Sequence, residues 1–345
     1  MRPYEHGGDI YNGQTVRLDF SANVNPLGMP PAAERALREG TAADVRYPDA
    51  RCRALRAALS EKHSVTPEQV LCGAGAADLI FRICAALQPR QVLAPVPTFS
   101  EYGRSAALFG AEIAKYPLRE ENGFELDRSF PAALTPETDM VFLCNPNNPT
   151  GRLCDPGIVA ALADACEENG TYLVVDECFL EFTRGVSALP LLQTHPRLLV
   201  LRAFTKFYAM AGLRLGYLLC ADAALLERIG TFGAEWAVST AAQRSGLAAL
   251  TEPDWRDRTL QLVEAQRRSL AVSLAALGVA VYPGEANFLL CRAPRPVAES
   301  LAEQGILVRR CGNFEGLDDC FFRVGVRTAA ENAVLIDALR EVLHG

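Results

Sequence analysis

The chain has 345 residues, half of them apolar and 22% charged, with a formal net charge of −7. That length exceeds what one core usually supports, so two lobes are expected, and the composition is that of a folded globular protein. The acidic balance argues against nucleic acid or an anionic membrane as partner, and no apolar run approaches membrane length.

The opening Met1-Arg2-Pro3-Tyr4-Glu5-His6 lacks a signal-peptide core, so a cytoplasmic location is expected. Eleven cysteines are scattered without a Cys-x-x-Cys pair, and with four histidines no zinc spacing appears. Reduced, buried thiols and no metal site are expected.

Residues 1–30 read as a loop-like arm rich in Gly, Asn and Pro, with His6-Gly7-Gly8-Asp9 and Asp19-Phe20-Ser21-Ala22-Asn23-Val24-Asn25-Pro26-Leu27-Gly28 standing out. Such an arm either packs across the body or also carries ligand contacts. A short helix is expected from Pro30 to about Gly40, a turn at Arg46-Tyr47-Pro48-Asp49, and a helix from about Cys52 to Lys62.

From about Val70 to Cys220 short apolar runs alternate with helical stretches. The runs are Val70–Cys72, Val92–Ala94, Met140–Cys144, Tyr172–Val175, Leu198–Leu201 and Tyr217–Cys220. That alternation predicts an α/β fold with a mostly parallel sheet between helices. In such sheets ligands bind beyond the carboxyl ends of the strands. After the first run, Gly73-Ala74-Gly75-Ala76-Ala77-Asp78 opens a helix Leu79–Leu87, and free N–H groups there suit an anion. After the second, Phe99 and Tyr102 offer aromatic faces, for stacking on a flat ring or for the core. After the third, Asn145-Pro146-Asn147-Asn148-Pro149-Thr150-Gly151 makes a rigid turn able to aim an amide. After the fourth comes Asp176-Glu177-Cys178-Phe179, and an acid closing a buried strand needs a partner. After the fifth, Thr205-Lys206 follows Leu198–Leu201, with Arg214 eight residues on. A partly dry lysine has a lowered pKa and attacks aldehydes. Together with the hydroxyl and the arginine it suits an aldehyde cofactor bearing a phosphate; by itself it is equally an ordinary surface lysine.

From about Ala237 the pattern turns helical, over Thr240–Leu250 and Asp254–Leu277, which Gly278 ends. Strands at Val279–Tyr282, Asn287–Cys291, Ile306–Arg309 and Phe321–Val326, with helices Pro296–Gln304 and Ala329–Leu343, predict a smaller α+β lobe completed by the N-terminal segment. The expected division is 1–44 as arm and part of the small domain, 45–240 as the large domain, and 241–345 as the small one. Arg323 interrupts an apolar strand, so it meets a carboxylate or phosphate, or forms a structural salt bridge.

Asn145 to Gly151, Asp176-Glu177, and Thr205-Lys206 with Arg214, in that order, resemble the fold-type I pyridoxal-phosphate enzymes of the aspartate aminotransferase superfamily over nearly the whole chain. Within it the chain is similar to the branch shared by histidinol-phosphate aminotransferases and the threonine-phosphate decarboxylases of cobalamin synthesis. The arm and Phe179 resemble the decarboxylases; the aminotransferases usually carry Glu-Asn-Pro at Val24-Asn25-Pro26 and a tyrosine at Phe179. Arg327, after Arg323, is a further similarity.

The resemblance implies pyridoxal 5′-phosphate joined covalently to Lys206, with Asp176 facing the ring nitrogen and Asn148 the phenolic oxygen. Phe99 would lie on the ring, with Tyr102 as the alternate. Gly75, Ala76, Ala77, Thr205 and Arg214 would cradle the phosphate, joined by Tyr47 of a second copy in a homodimer. The implied substrate is a small phosphorylated amino acid, its phosphate at His6, Asn25 and Arg327 and its carboxylate near Arg323. The implied reaction is decarboxylation of O-phosphothreonine, with transamination of histidinol phosphate as the alternative.

Overall fold

The structure, a computed structural model, describes residues 6–11, 13, 15–40 and 44–345. Seven strands form the central sheet, in the order Val70–Gly73, Gly216–Leu219, Leu198–Ala203, Tyr172–Asp176, Met140–Cys144, Gln91–Val96, Glu112–Pro117. Gly216–Leu219 runs antiparallel to both its neighbours, and every other pairing is parallel. The central strands are buried along their whole length because helices cover both faces, which is why they read as unbroken apolar runs. The seventh strand, Glu112–Pro117, is absent from the expected runs. It lies on an edge, is only half buried, and carries Glu112 and Lys115 among Ile113, Ala114 and Tyr116, charges that discourage pairing with another chain.

Alternate residues of each strand feed two cores. Val141, Leu143, Val175, Leu198 and Val200 pack on one face with Leu55 and Leu59 of the helix Arg53–His63. Met140, Phe142, Val174, Leu199 and Leu201 pack on the other with Leu79, Ile80 and Ile83 of the helix Ala76–Leu87. That helix begins three residues before the expected Leu79, directly after Gly75.

A second, antiparallel sheet runs Arg309–Arg310, Phe321–Gly325, Phe288–Arg292, Ala280–Val281. Its core takes Leu270 and Leu274 from the helix Trp255–Ala276 and Leu335 and Leu339 from the helix Ala329–His344. A capping box starts the latter: Thr328 Oγ1 accepts from the Glu331 N–H while Glu331 accepts from the Thr328 N–H. The arm joins this layer where Leu18–Asp19 pairs in parallel with Ile306–Leu307. It then crosses to the central sheet, where the helix Pro31–Glu39 packs on Thr240–Ala249. Among the described residues no helix is long and apolar enough to cross a membrane.

Candidate active site

The carboxyl ends of the central strands open into a cavity of about 440 Å³, roofed by the arm and the second sheet. Ala76 and Ala77 line it at the start of their helix, where backbone N–H groups lack intrahelical acceptors. Gly75, at φ +92°, stands just behind them. A Cβ there would lie 2.8 Å from Arg214 Nη2, so glycine lets the guanidinium close against the helix start. Arg214 is itself left-handed at φ +57° and donates to the Ala211 carbonyl at 3.1 Å. Thr205 lines the cavity beside it.

Lys206 sits in the single helical turn Phe204–Phe207, directly after the buried strand Leu198–Ala203. Burial, then the nearby Arg323, pulls its amine down to about 8. Asp176 is the last residue of the neighbouring strand and is 4% exposed. Its Oδ2 accepts from the Tyr102 hydroxyl at 2.6 Å and its Oδ1 from the Cys178 N–H at 2.9 Å. Burial raises this carboxyl, and the donors oppose the rise. Asn148 follows the strand Met140–Cys144. Asn147 anchors its turn, donating to the Pro97 carbonyl at 3.0 Å and accepting from Thr98 at 2.7 Å. Asn148 Oδ1 accepts from Arg323, which leaves its NH₂ as the free-facing end of the amide. Phe99 and Phe179 complete the apolar lining from the central layer.

The second sheet contributes Arg323 and Arg309. They are direct partners on adjacent antiparallel strands, so both side chains stand on one face. Both are buried. Arg323 also donates to the Ser21 carbonyl at 2.9 Å and lies over Phe288 at 5.0 Å. Burial, then Arg309, holds it down to about 10. The arm adds His6, Gly7, Ser21 and Asn23. Asn23 is 2% exposed, and its Nδ2 has no partner among the described residues. His6 Nε2 meets Glu101 Oε1 at 3.0 Å across the mouth, and Arg104 holds the other carboxylate oxygen at 3.1 Å.

Two expected substrate contacts stand elsewhere. Asn25 is buried beneath the cavity, its amide donating to the Phe207 carbonyl at 2.8 Å and Thr259 at 2.9 Å, so it ties the arm to the lysine turn. Arg327 is absorbed by Glu331, at 2.8 and 2.6 Å, and by the Asp19 carbonyl at 3.2 Å. Tyr102 is no stacking ring: it stacks flat on Phe142 at 4.8 Å and points its hydroxyl at Asp176. Tyr47 lies outside the cavity, 81% exposed, against Trp236 at 4.8 Å. Sequence reasoning passed over Arg309, Asn23, Glu101 and Cys178. Arg309 carried a signal like that of Arg323, a charge at an apolar strand; Asn23 and Cys178 lay in stretches already singled out, and Glu101 carried none.

A phosphorylated pyridine aldehyde fits this donor set. There is an amine of lowered pKa, a buried acid, an amide NH₂, an aromatic face, and an anion cradle that only a glycine leaves open. A family model for aminotransferase class I and II matches residues 15–339. The chain belongs to that family. It is 40% identical over 352 residues to the threonine-phosphate decarboxylase of Salmonella typhimurium, covering 99% of this chain and 97% of the relative. It is 38% identical to a histidinol-phosphate aminotransferase of Roseiflexus castenholzii, covering 95% of this chain and 89% of that one. The crystal structure of histidinol-phosphate aminotransferase from Clostridium acetobutylicum superposes with a TM-score of 0.88 at 28% identity, covering 94% of this chain and 98% of that one. This class I and II aminotransferase relative is thus a pyridoxal-phosphate-dependent enzyme of mixed α/β fold.

Proposed function

We propose that the chain decarboxylates L-threonine O-3-phosphate, releasing CO₂ and (R)-1-amino-2-propanol O-2-phosphate, as a step of cobalamin synthesis in the cytoplasm. The observation that carries this reading is the buried Arg309–Arg323 pair. The two guanidiniums stand side by side on one face of the second sheet, and both line the cavity. A substrate with both a carboxylate and a phosphate offers an anion to each fork. The cofactor's own phosphate has a separate cradle in Ala76, Ala77, Thr205 and Arg214. Support also comes from the decarboxylase relative at 40% identity and from Phe179, which cannot donate where a tyrosine could.

Lys206 would carry the cofactor, Asp176 would hold a proton on its ring nitrogen, Asn148 would donate to its phenolic oxygen, and Phe99 would cover the ring. Pyridoxal phosphate, when bound, would supply a sink for the electron pair left by a broken Cα bond. Arg323, Arg309, His6 and Asn23 would grip the substrate's two anions and so choose which bond is broken. That grip would favour loss of the carboxylate as CO₂, and Lys206 Nζ would give Cα the replacing proton. The unit 45–240 would hold the cofactor, and 1–44 with 241–345 the substrate. In a homodimer Tyr47 would reach the partner's cofactor phosphate.

The relative at 38% identity favours a second reading, transamination of histidinol phosphate. Incubating the holoenzyme with O-phosphothreonine and no keto-acid acceptor separates the two. Stoichiometric CO₂ release is expected; conversion of the cofactor to its amine form without gas rejects decarboxylation.

A further inference from the structure

A carboxylate beside a pyridine nitrogen in a dry site has two ways to share one proton. Either the acid stays charged and the nitrogen is protonated, or the proton moves to the acid and both are neutral. Low dielectric favours the neutral pair, and hydrogen bonds to the carboxylate favour the charged one. Around Asp176 the surroundings are dry, yet no Lys, Arg or His among the described residues makes an ion pair with it. Its charge is met by neutral donors instead. The Tyr102 hydroxyl approaches Oδ2 at 2.6 Å and the Cys178 backbone N–H approaches Oδ1 at 2.9 Å. Burial and Asp176 itself push the Tyr102 phenol up, so it stays protonated and toward the carboxylate can only donate. A further titratable neighbour, Cys144 on the adjacent strand, directs its sulfur to the Pro146 carbonyl at 3.3 Å and is likewise held protonated by burial.

Tyr102 is not free to turn away. Its ring lies flat on Phe142, 9° from parallel, with Phe99 against it edge-on at 5.5 Å. Its backbone carbonyl is held by Ser105 Oγ at 3.0 Å. A hydroxyl fixed by two rings in the core, with a carboxylate oxygen as its partner, is a preset donor that costs nothing to orient.

We propose that Tyr102 is a positioning residue that keeps Asp176 an anion, so that the proton it shares with the cofactor resides on the ring nitrogen. This rests on the reading of Asp176 as the partner of that nitrogen. A hydrogen bond to a charged group is worth enough that losing the Tyr102 hydroxyl shifts the proton-sharing equilibrium roughly 10- to 100-fold toward the neutral pair.

The test is ¹⁵N NMR of the holoenzyme loaded with cofactor labelled at the ring nitrogen. The parent resonance is expected at the position of a protonated pyridine. Tyr102→Phe is expected to move it toward the unprotonated position and to weaken cofactor retention on dilution. Tyr102→His, which keeps a ring N–H donor at this position, is expected to restore part of the shift. Should Tyr102→Phe fail to fold, Phe142→Leu, which frees the ring that Phe142 holds, is expected to move the resonance the same way by less. Asp176→Asn serves as reference. If it moves the resonance while Tyr102→Phe, or Phe142→Leu in its place, leaves it at the parent position, the positioning role is overturned alone. If Asp176→Asn itself changes nothing, Asp176 is not the nitrogen's partner and both readings fall.

Discussion

Lys206 shows how burial turns a common side chain into a reagent. With its amine held at about 8, roughly a tenth of the chains carry it neutral at pH 7, against a few in ten thousand for an ordinary lysine. The same shift has a cost for the cofactor-free protein. The unfolded chain keeps its proton to about 10.5 and the folded chain only to about 8, so the penalty is full below pH 8. It fades as the pH rises toward 10.5, because the folded lysine is then already neutral. Cofactor-free Lys206→Met is therefore expected to be more stable than the parent by on the order of 2–3 kcal/mol below pH 8, with the gap closing by pH 10.5. Urea unfolding across that range checks it; a gap independent of pH would refute the assignment.

Among the elements, the strand that ends at Asp176 and the strand that leads into the Lys206 turn are locked to each other. Glu177 follows Asp176, and Arg202 stands four residues before Lys206. Arg202 donates to Glu177 Oε2 at 3.0 and 2.6 Å, while Ser187 at 2.7 Å and the Ala188 N–H at 2.7 Å complete the carboxylate. The pair is almost wholly buried. Removing one partner of such a pair strands a charge, whereas removing both is far milder. Glu177→Ala is expected to cost on the order of 3–5 kcal/mol, and Glu177→Ala/Arg202→Met is expected to recover a substantial part. Chemical denaturation of the two variants and the parent measures this, and an equal loss in the double variant would deny the coupling. The second sheet shows the same logic of register. Only the pairing of Arg309 with Arg323 puts two cations on one face toward the cavity; a slip of one residue would turn one of them away.

For the molecule as a whole, the exposed Tyr47–Trp236 pair, with Phe232 half exposed nearby in sequence, is what a second copy would cover. Sedimentation of the parent is expected to give twice the chain mass. Trp236→Glu is expected to yield a monomer with cofactor retention reduced at least about tenfold, since burying an unpaired charge in an interface costs several kcal/mol. A parent that sediments as a monomer with full cofactor content would exclude shared sites.

The central sheet was legible because parallel strands covered on both faces must be apolar throughout, and three of its runs are followed by polar residues that line the cavity, Asn148, Asp176 and Thr205-Lys206. Lys206, Asp176, Asn148, Thr205 and Arg214 could be read from that rule. The edge strand Glu112–Pro117 escaped it because a half-exposed strand need not be apolar. What sequence could not decide is where a long polar side chain goes when several partners lie within its reach. Asn25 and Arg327 carry the same groups as Asn23 and Arg323, yet Thr259 and Glu331 consume the first two while the second two face the cavity. Those partners are hundreds of residues apart for Asn25 and one helical turn away for Arg327. Only packing of the arm between two sheets settles which amide and which guanidinium remain for a ligand. Tyr102 is the sharpest case: its period along the helix marks it as an inward aromatic, and only the neighbouring strand's Asp176 makes its hydroxyl chemical.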